Sequence, residues 1–243
     1  MDILLALLAL FLGGVMKGAT GAGAPVIATP ALTLLFNIQT AVAVLVVPNM
    51  LSNIWQFWQF RRHVLDQRFL LLFAGSGFAG AILGTWFLVV LNQQILSLLM
   101  ACAVIAFIAL RLSRPDWILR RWLAQKLVVP VGLIGGVLQG ATGISAPASL
   151  SFLNAMRLPR NSFIGTISVF FVAMSVAQLP TLWAVGLITL NTLALGLGSL
   201  VMIALGMPFG NWLARRWSAR VFDRVMLTLL ALLAAKILIG TLG

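Results

Sequence analysis

Few residues in this chain could do chemistry, and their placement is unusual. Lys17 stands inside an apolar run, between Gly13-Gly14-Val15-Met16 and Gly18-Ala19-Thr20-Gly21-Ala22-Gly23-Ala24-Pro25. An ammonium at membrane depth costs about 2.5–3.5 kcal/mol even on the lenient insertion scale, so it needs a partner, a cavity or a task. The task open to it is holding an anion; snorkelling to the interface is the plain alternative. A half-helix starting after such a glycine break aims unpaired backbone N–H groups and a positive dipole end at its surroundings, which also suits an anion. Gly18 and Gly21 would let a ligand approach the backbone, and the Thr20 hydroxyl could donate to it or bond back to its own helix.

The same arrangement returns as Gly135-Gly136-Val137-Leu138-Gln139-Gly140-Ala141-Thr142-Gly143-Ile144-Ser145-Ala146-Pro147, at an offset of 122 residues from Gly18 to Gly140. Nine of thirteen positions are identical between the copies. Lys17 falls on Gln139, while Gly140, Thr142, Gly143 and Ser145 complete the second set. A further polar stripe, Asn49, Ser52, Asn53, Gln56 and Gln59, recurs at helical spacing on one face of an apolar segment. Under the same offset Asn53 falls on Ser175 and Gln56 on Gln178. Such stripes bond either neighbouring helices or a ligand.

Equally informative is what the apolar segments lack. All four acidic residues, Asp2, Asp66, Asp116 and Asp223, lie in expected loops or at the terminus, leaving no intramembrane carboxylate to relay protons or hold a cation. His63 lies in an arginine loop, and Cys102 is the lone cysteine. No cluster has metal-ligand spacing and no Ser, His and Asp set converges, so neither a metal, a cofactor nor an enzyme is expected.

The elements that must position these residues are membrane helices. Of 243 residues 62% are hydrophobic and 8% charged, far from the balance of a soluble domain. Apolar runs near the twenty residues needed to cross a bilayer recur throughout. The net charge of +12 comes from arginines clustered between those runs, where orientation in the bilayer accounts for them without nucleic acid. Residues 3–36 are too short for two crossings once the break is removed. They suggest a re-entrant hairpin with two arms of about thirteen residues and a tip near the midplane. Helices follow at about 40–60, 69–90 and 94–112, the second with a close-packing face at Gly77, Gly80 and Gly84.

The second half repeats this order with the charges reversed. Its broken segment, about 126–156, ends at Arg157 and Arg160 where the first ended at uncharged Asn37-Ile38-Gln39. The next loop, Gly186 to Asn191, is uncharged where the first half has Arg61, Arg62 and Arg68. Arg215, Arg216, Arg220 and Arg224 stand against Asn92-Gln93-Gln94. Three reversals in succession predict that the halves face opposite ways. The expected fold is therefore an all-α membrane protein of two inverted-topology repeats, residues 1–122 and 123–243. Each repeat is a re-entrant broken-helix hairpin plus three transmembrane helices, and both termini are expected outside.

The paired breaks, Gly14 to Gly23 and Gly136 to Gly143, in a short duplicated membrane protein resemble the sulfite exporter TauE/SafE family, also called the toluene-sulfonate uptake permease family. The resemblance extends over essentially the whole chain. It implies a secondary transporter moving a small sulfur-containing or organic anion, such as sulfite, sulfonate or sulfoacetate, across the bacterial inner membrane. Its eight hydrophobic segments would be two hairpins and six spanning helices. The expected substrate site comprises Lys17, Gly18, Thr20, Gly21, Asn53, Gln56, Gln139, Gly140, Thr142, Gly143, Ser145, Ser175 and Gln178. Alternatives are an anion channel, which shares these residues, or a membrane-embedded sulfur-carrier or enzyme subunit, for which Cys102 is a poor reactive group.

Overall fold

The fold follows from where the apolar runs can be capped, broken or packed closely. The structure, a computed structural model, describes residues 2–113, 117–217 and 219–242; Arg114, Asp116 and Ser218 lie outside them, as do the side chains of Asp2 and Arg220. The helices of the first half are α1 (Asp2–Thr20), α2 (Ala24–Leu35), α3 (Ile38–Phe60), α4 (Gln67–Val90) and α5 (Gln93–Ser113). Those of the second are α6 (Arg121–Thr142), α7 (Ser149–Ala155), α8 (Arg160–Ala184), α9 (Leu190–Arg216) and α10 (Ala219–Leu242). Each half is thus a long helix, a short one and three long ones. Seven of the described helices, α1, α3, α4, α5, α6, α8 and α9, are long and apolar enough to cross a membrane.

Local chemistry sets the ends. The Asn37 side chain accepts from the Thr40 N–H to cap α3, and Thr189 with Thr192 forms a capping box on α9. Asp66 caps α4 by accepting from the Phe69 N–H, which, with Arg121 nearby, holds its carboxyl below the usual aspartate range. That cap is at full strength above the ordinary aspartate value and fades as pH falls through the lowered one. At the breaks, Gly21 (φ 84°) and Gly143 (φ 72°) take the left-handed conformation. Their N–H groups donate to the carbonyls of Lys17 and Gln139, ending α1 and α6 by the same 5→1 bond.

The hairpin arms are unequal, which corrects the expectation of two matched arms. The first arms run 19 and 22 residues, about 28 and 33 Å, and only the second arms are short, at 12 and 7 residues. Gly13, Gly14 and Gly18 do not break α1; α2 packs where a side chain of Gly13 would be, and α9 where those of Gly14 and Gly18 would be. A Cβ on Gly14 or Gly18 would strike the carbonyl of Ile203 or Met207, and one on Gly206 or Gly210 would strike that of Phe11 or Val15. The second half repeats this: Gly136 and Gly140 abut the carbonyls of Gly77 and Ala81, and Gly80 and Gly84 those of Leu133 and Val137. The expected close-packing face on α4 is therefore present at Gly80 and Gly84, with α6 as its partner, while the place of a Gly77 side chain is taken by Phe170 of α8.

In both pairs the contacts advance along the two helices together, so α1 runs parallel to α9 and α4 parallel to α6. Within one repeat the first and fourth helices point opposite ways. The first helix of each half therefore lies parallel to the fourth of the other, which agrees with an inverted duplication. Helices α3 and α8 cross antiparallel at the centre, with Asn49 near Ser175 and Phe60 near Gly165. A stack of Phe69, Phe73, Phe152 and Phe170 fills the core beside them. Exposed Leu71, Trp86, Val201 and Leu205 form the apolar outer surface expected against lipid.

Candidate functional site

Lys17 is the charged group the fold encloses. It is 1% exposed, and its ammonium donates to Asn53 Oδ1 at 2.9 Å, the one hydrogen-bond partner it has among the described residues. Because an ammonium cannot accept, it must face the oxygen of Asn53, which fixes that amide's orientation. Asn53 Nδ2 then donates to Asn49 O at 2.7 Å and Asn49 Oδ1 at 2.9 Å, and Asn49 Nδ2 reaches toward Ser175 Oγ at 3.5 Å. A polar chain thus runs from α1 through α3 to α8. Two of the three ammonium hydrogens stay uncommitted. No described carboxylate neutralises them: Asp66 pairs with Arg121 and Asp223 with Arg111.

Asn49 also lines a small cavity with Thr29, Gln139, Gly143 and Gln178, with room for about one water molecule. Gln139 Oε1, Gln178 Nε2 and Thr29 Oγ1 are buried there without a partner, as is Gln56 Oε1, the counterpart of Gln178 in the first half. Buried amides so placed are costly unless something they bind visits them. The structure therefore gathers Lys17, Asn53, Ser175, Gln139, Gly143 and Gln178 of the expected residues into one polar core. Gln56 is buried on the same face of α3, whereas Gln59 of the stripe is exposed.

The tips do not converge, which corrects their expected position at the midplane. Gly21 packs against Ile164 and Gly143 against Val42, equivalent positions near the starts of antiparallel α8 and α3. Arg160, at the first residue of α8, donates to the carbonyls of Gly18 and Ala19 and to Asn211 Oδ1, fixing the first tip at the arginine-rich end. The tip threonine hydroxyls serve the backbone. Thr20 Oγ1 lies within reach of Met16 O and Ala22 O and donates its one hydrogen to either, and Thr142 Oγ1 donates to Leu138 O. Ser145 Oγ bonds Ser149 Oγ, while the N–H groups of Ala148 and Ser149 return to Ser145 O. Gly18 and Gly140 face α9 and α4.

Beside the first tip, a cleft of about 70 Å³ is lined by Met16, Thr20, Ala22, Asn154 and the Arg111–Asp223 pair, which joins α5 to α10 at 2.8 Å. Its floor at Met16 adjoins Lys17 in sequence. Thr29 and Arg160 carried no signal in the sequence, Thr29 being one threonine in an apolar run and Arg160 one of many loop arginines. Asn49 was legible in the stripe.

An apolar helical exterior around a core that holds a cation and unpaired amides defines a multi-pass membrane protein with a polar interior site. A family model described as sulfite exporter TauE/SafE matches residues 6–237, and the chain belongs to that family, one of membrane exporters and permeases. Comparison with curated proteins and with solved structures gave no match.

Proposed function

We propose that this protein is a secondary transporter that moves a small sulfur-containing or organic anion, such as sulfite or a simple sulfonate, across the bacterial inner membrane. Lys17 is the anchor for the anion, and Asn53, Asn49, Ser175, Gln139 and Gln178 complete the site. The single observation that carries this reading is the Lys17 ammonium, enclosed in the bilayer-spanning part of the fold with one neutral partner and two free hydrogens. A charge so placed is retained for a task, and an incoming anion removes the deficit.

Lys17 is enclosed, and a separate cleft beside Met16 and Thr20 lies toward the arginine-rich end, taken as the cytoplasmic face. A closed site favours a carrier with alternating access over an open channel. The halves, residues 1–122 and 123–243, would rock about α3 and α8, with both termini periplasmic. The test is flux of sulfite and short sulfonates in proteoliposomes: saturable uptake with counterflow supports a carrier, and unsaturable flux without counterflow supports a channel.

A further inference from the structure

We propose that the site selects its substrate by charge number, accepting monoanions and rejecting dianions of similar shape. This rests on the Lys17 site proposed above. The elements packed around that ammonium carry few other charges. Helices α2 and α3 carry no titratable residue. On α9 the only ones are Arg215 and Arg216, exposed in the last turn. Arg160 of α8 is exposed and committed to the carbonyls ending α1 and to Asn211. Arg111 and Asp223, beside the cleft, cancel each other. On α1 itself Asp2 begins the helix, fifteen residues or about 22 Å along the axis from Lys17. Arg157, at the end of α7, is exposed.

The enclosed polar core therefore holds one positive charge, and its other groups, Asn49, Asn53, Gln56, Gln139, Ser175 and Gln178, are neutral. A monoanion against Lys17 makes the core neutral overall. A dianion leaves one negative charge uncompensated in a low-dielectric interior, where amide hydrogen bonds do not repay its lost hydration. On that ground the preference for the monoanion is at least about a hundredfold. Sulfite, whose second ionisation falls near neutrality, would then be carried as hydrogen sulfite.

The experiment is calorimetric titration of the purified, full-length protein with three probes: methanesulfonate, a monoanion at all working pH; sulfate, a dianion; and sulfite, from below to well above its second ionisation. The readout is sulfite affinity relative to methanesulfonate at each pH, so that any titration of the protein cancels. The ratio should fall by about tenfold per pH unit above that ionisation, and sulfate should bind at least about a hundredfold more weakly than methanesulfonate. A ratio flat with pH, or sulfate binding as well as methanesulfonate, overturns the charge rule while leaving the anion site standing. Absence of binding by all three probes overturns the site and the rule together. Lys17→Arg keeps the single positive charge and should keep the preference; loss of the preference in that variant would also overturn the rule.

Discussion

Replacing Asn53 by alanine tests whether the Lys17 ammonium is held as described. The substitution removes one charge-assisted bond from Lys17 and two neutral bonds to Asn49. At about 1.5–3 kcal/mol for the first and 0.5–1.5 for each neutral bond, the loss is about 2.5–6 kcal/mol. In a Lys17→Gln background only the neutral bonds remain, so the same substitution should cost about 1–3 kcal/mol. The cavity left by the shortened side chain is common to both backgrounds and drops out of the cycle. Coupling energies between membrane helices average about 0.6 kcal/mol and reach about 1.7, because the unfolded chain in the membrane also finds partners. A charged pair this deeply enclosed belongs at the top of that range, so the expected coupling is about 1.5 kcal/mol. Reversible unfolding in mixed micelles, followed by helical circular dichroism for the four proteins, measures it. A coupling below about 0.5 kcal/mol, the scatter of independent sites, would refute the contact.

Other expectations concern packing, the amide cluster and orientation. A Cβ at Gly140 would lie 2.6 Å from the Ala81 carbonyl and the Thr85 nitrogen, both backbone, so Gly140→Ala must push α4 away. It should lose about 1–3 kcal/mol of stability. Gly75→Ala, which meets open space, should gain about 0.5–1; thermal denaturation compares them, and equal effects would discount the interface. Gln178→Leu removes a buried unpaired amide and should preserve or raise the melting temperature while lowering anion flux in proteoliposomes; undiminished flux would take Gln178 out of the site. Single cysteines at Asn92 and Arg216 in a Cys102→Ala background should label with an impermeant reagent from opposite sides of the membrane. Labelling from the same side would contradict the inverted arrangement.

The membrane class, the duplication and the polar stripe were legible because each depends on pattern: long apolar runs, an offset of 122 residues and helical spacing. The glycines were harder to read. Gly21 and Gly143 end helices through positive φ, but Gly14, Gly18, Gly136 and Gly140 stay helical because a neighbouring backbone occupies the place of a side chain. Sequence shows the missing Cβ but not which of these two reasons applies, so the pattern makes the first arms too short and sets the tips too deep. The hydroxyls of Thr20, Thr142 and Ser145 illustrate the same gap. Their residue types fit an anion site, yet a threonine or serine beside a helix end also finds local partners, and here the two threonines bond the backbone while Ser145 bonds the Ser149 hydroxyl. Lys17 was legible as an anomaly, whereas its partner Asn53, thirty-six residues away, needed the fold.

The most direct test of the central claim is the affinity of Lys17→Gln for sulfite and methanesulfonate by calorimetry, read beside its melting temperature. An ammonium that anchors the anion predicts affinity weaker by about ten- to a hundredfold, with stability unchanged or raised by loss of a buried unpaired charge. Undiminished affinity in Lys17→Gln would contradict the claim and leave the neutral amides of Asn49, Asn53, Gln139 and Gln178 as the site.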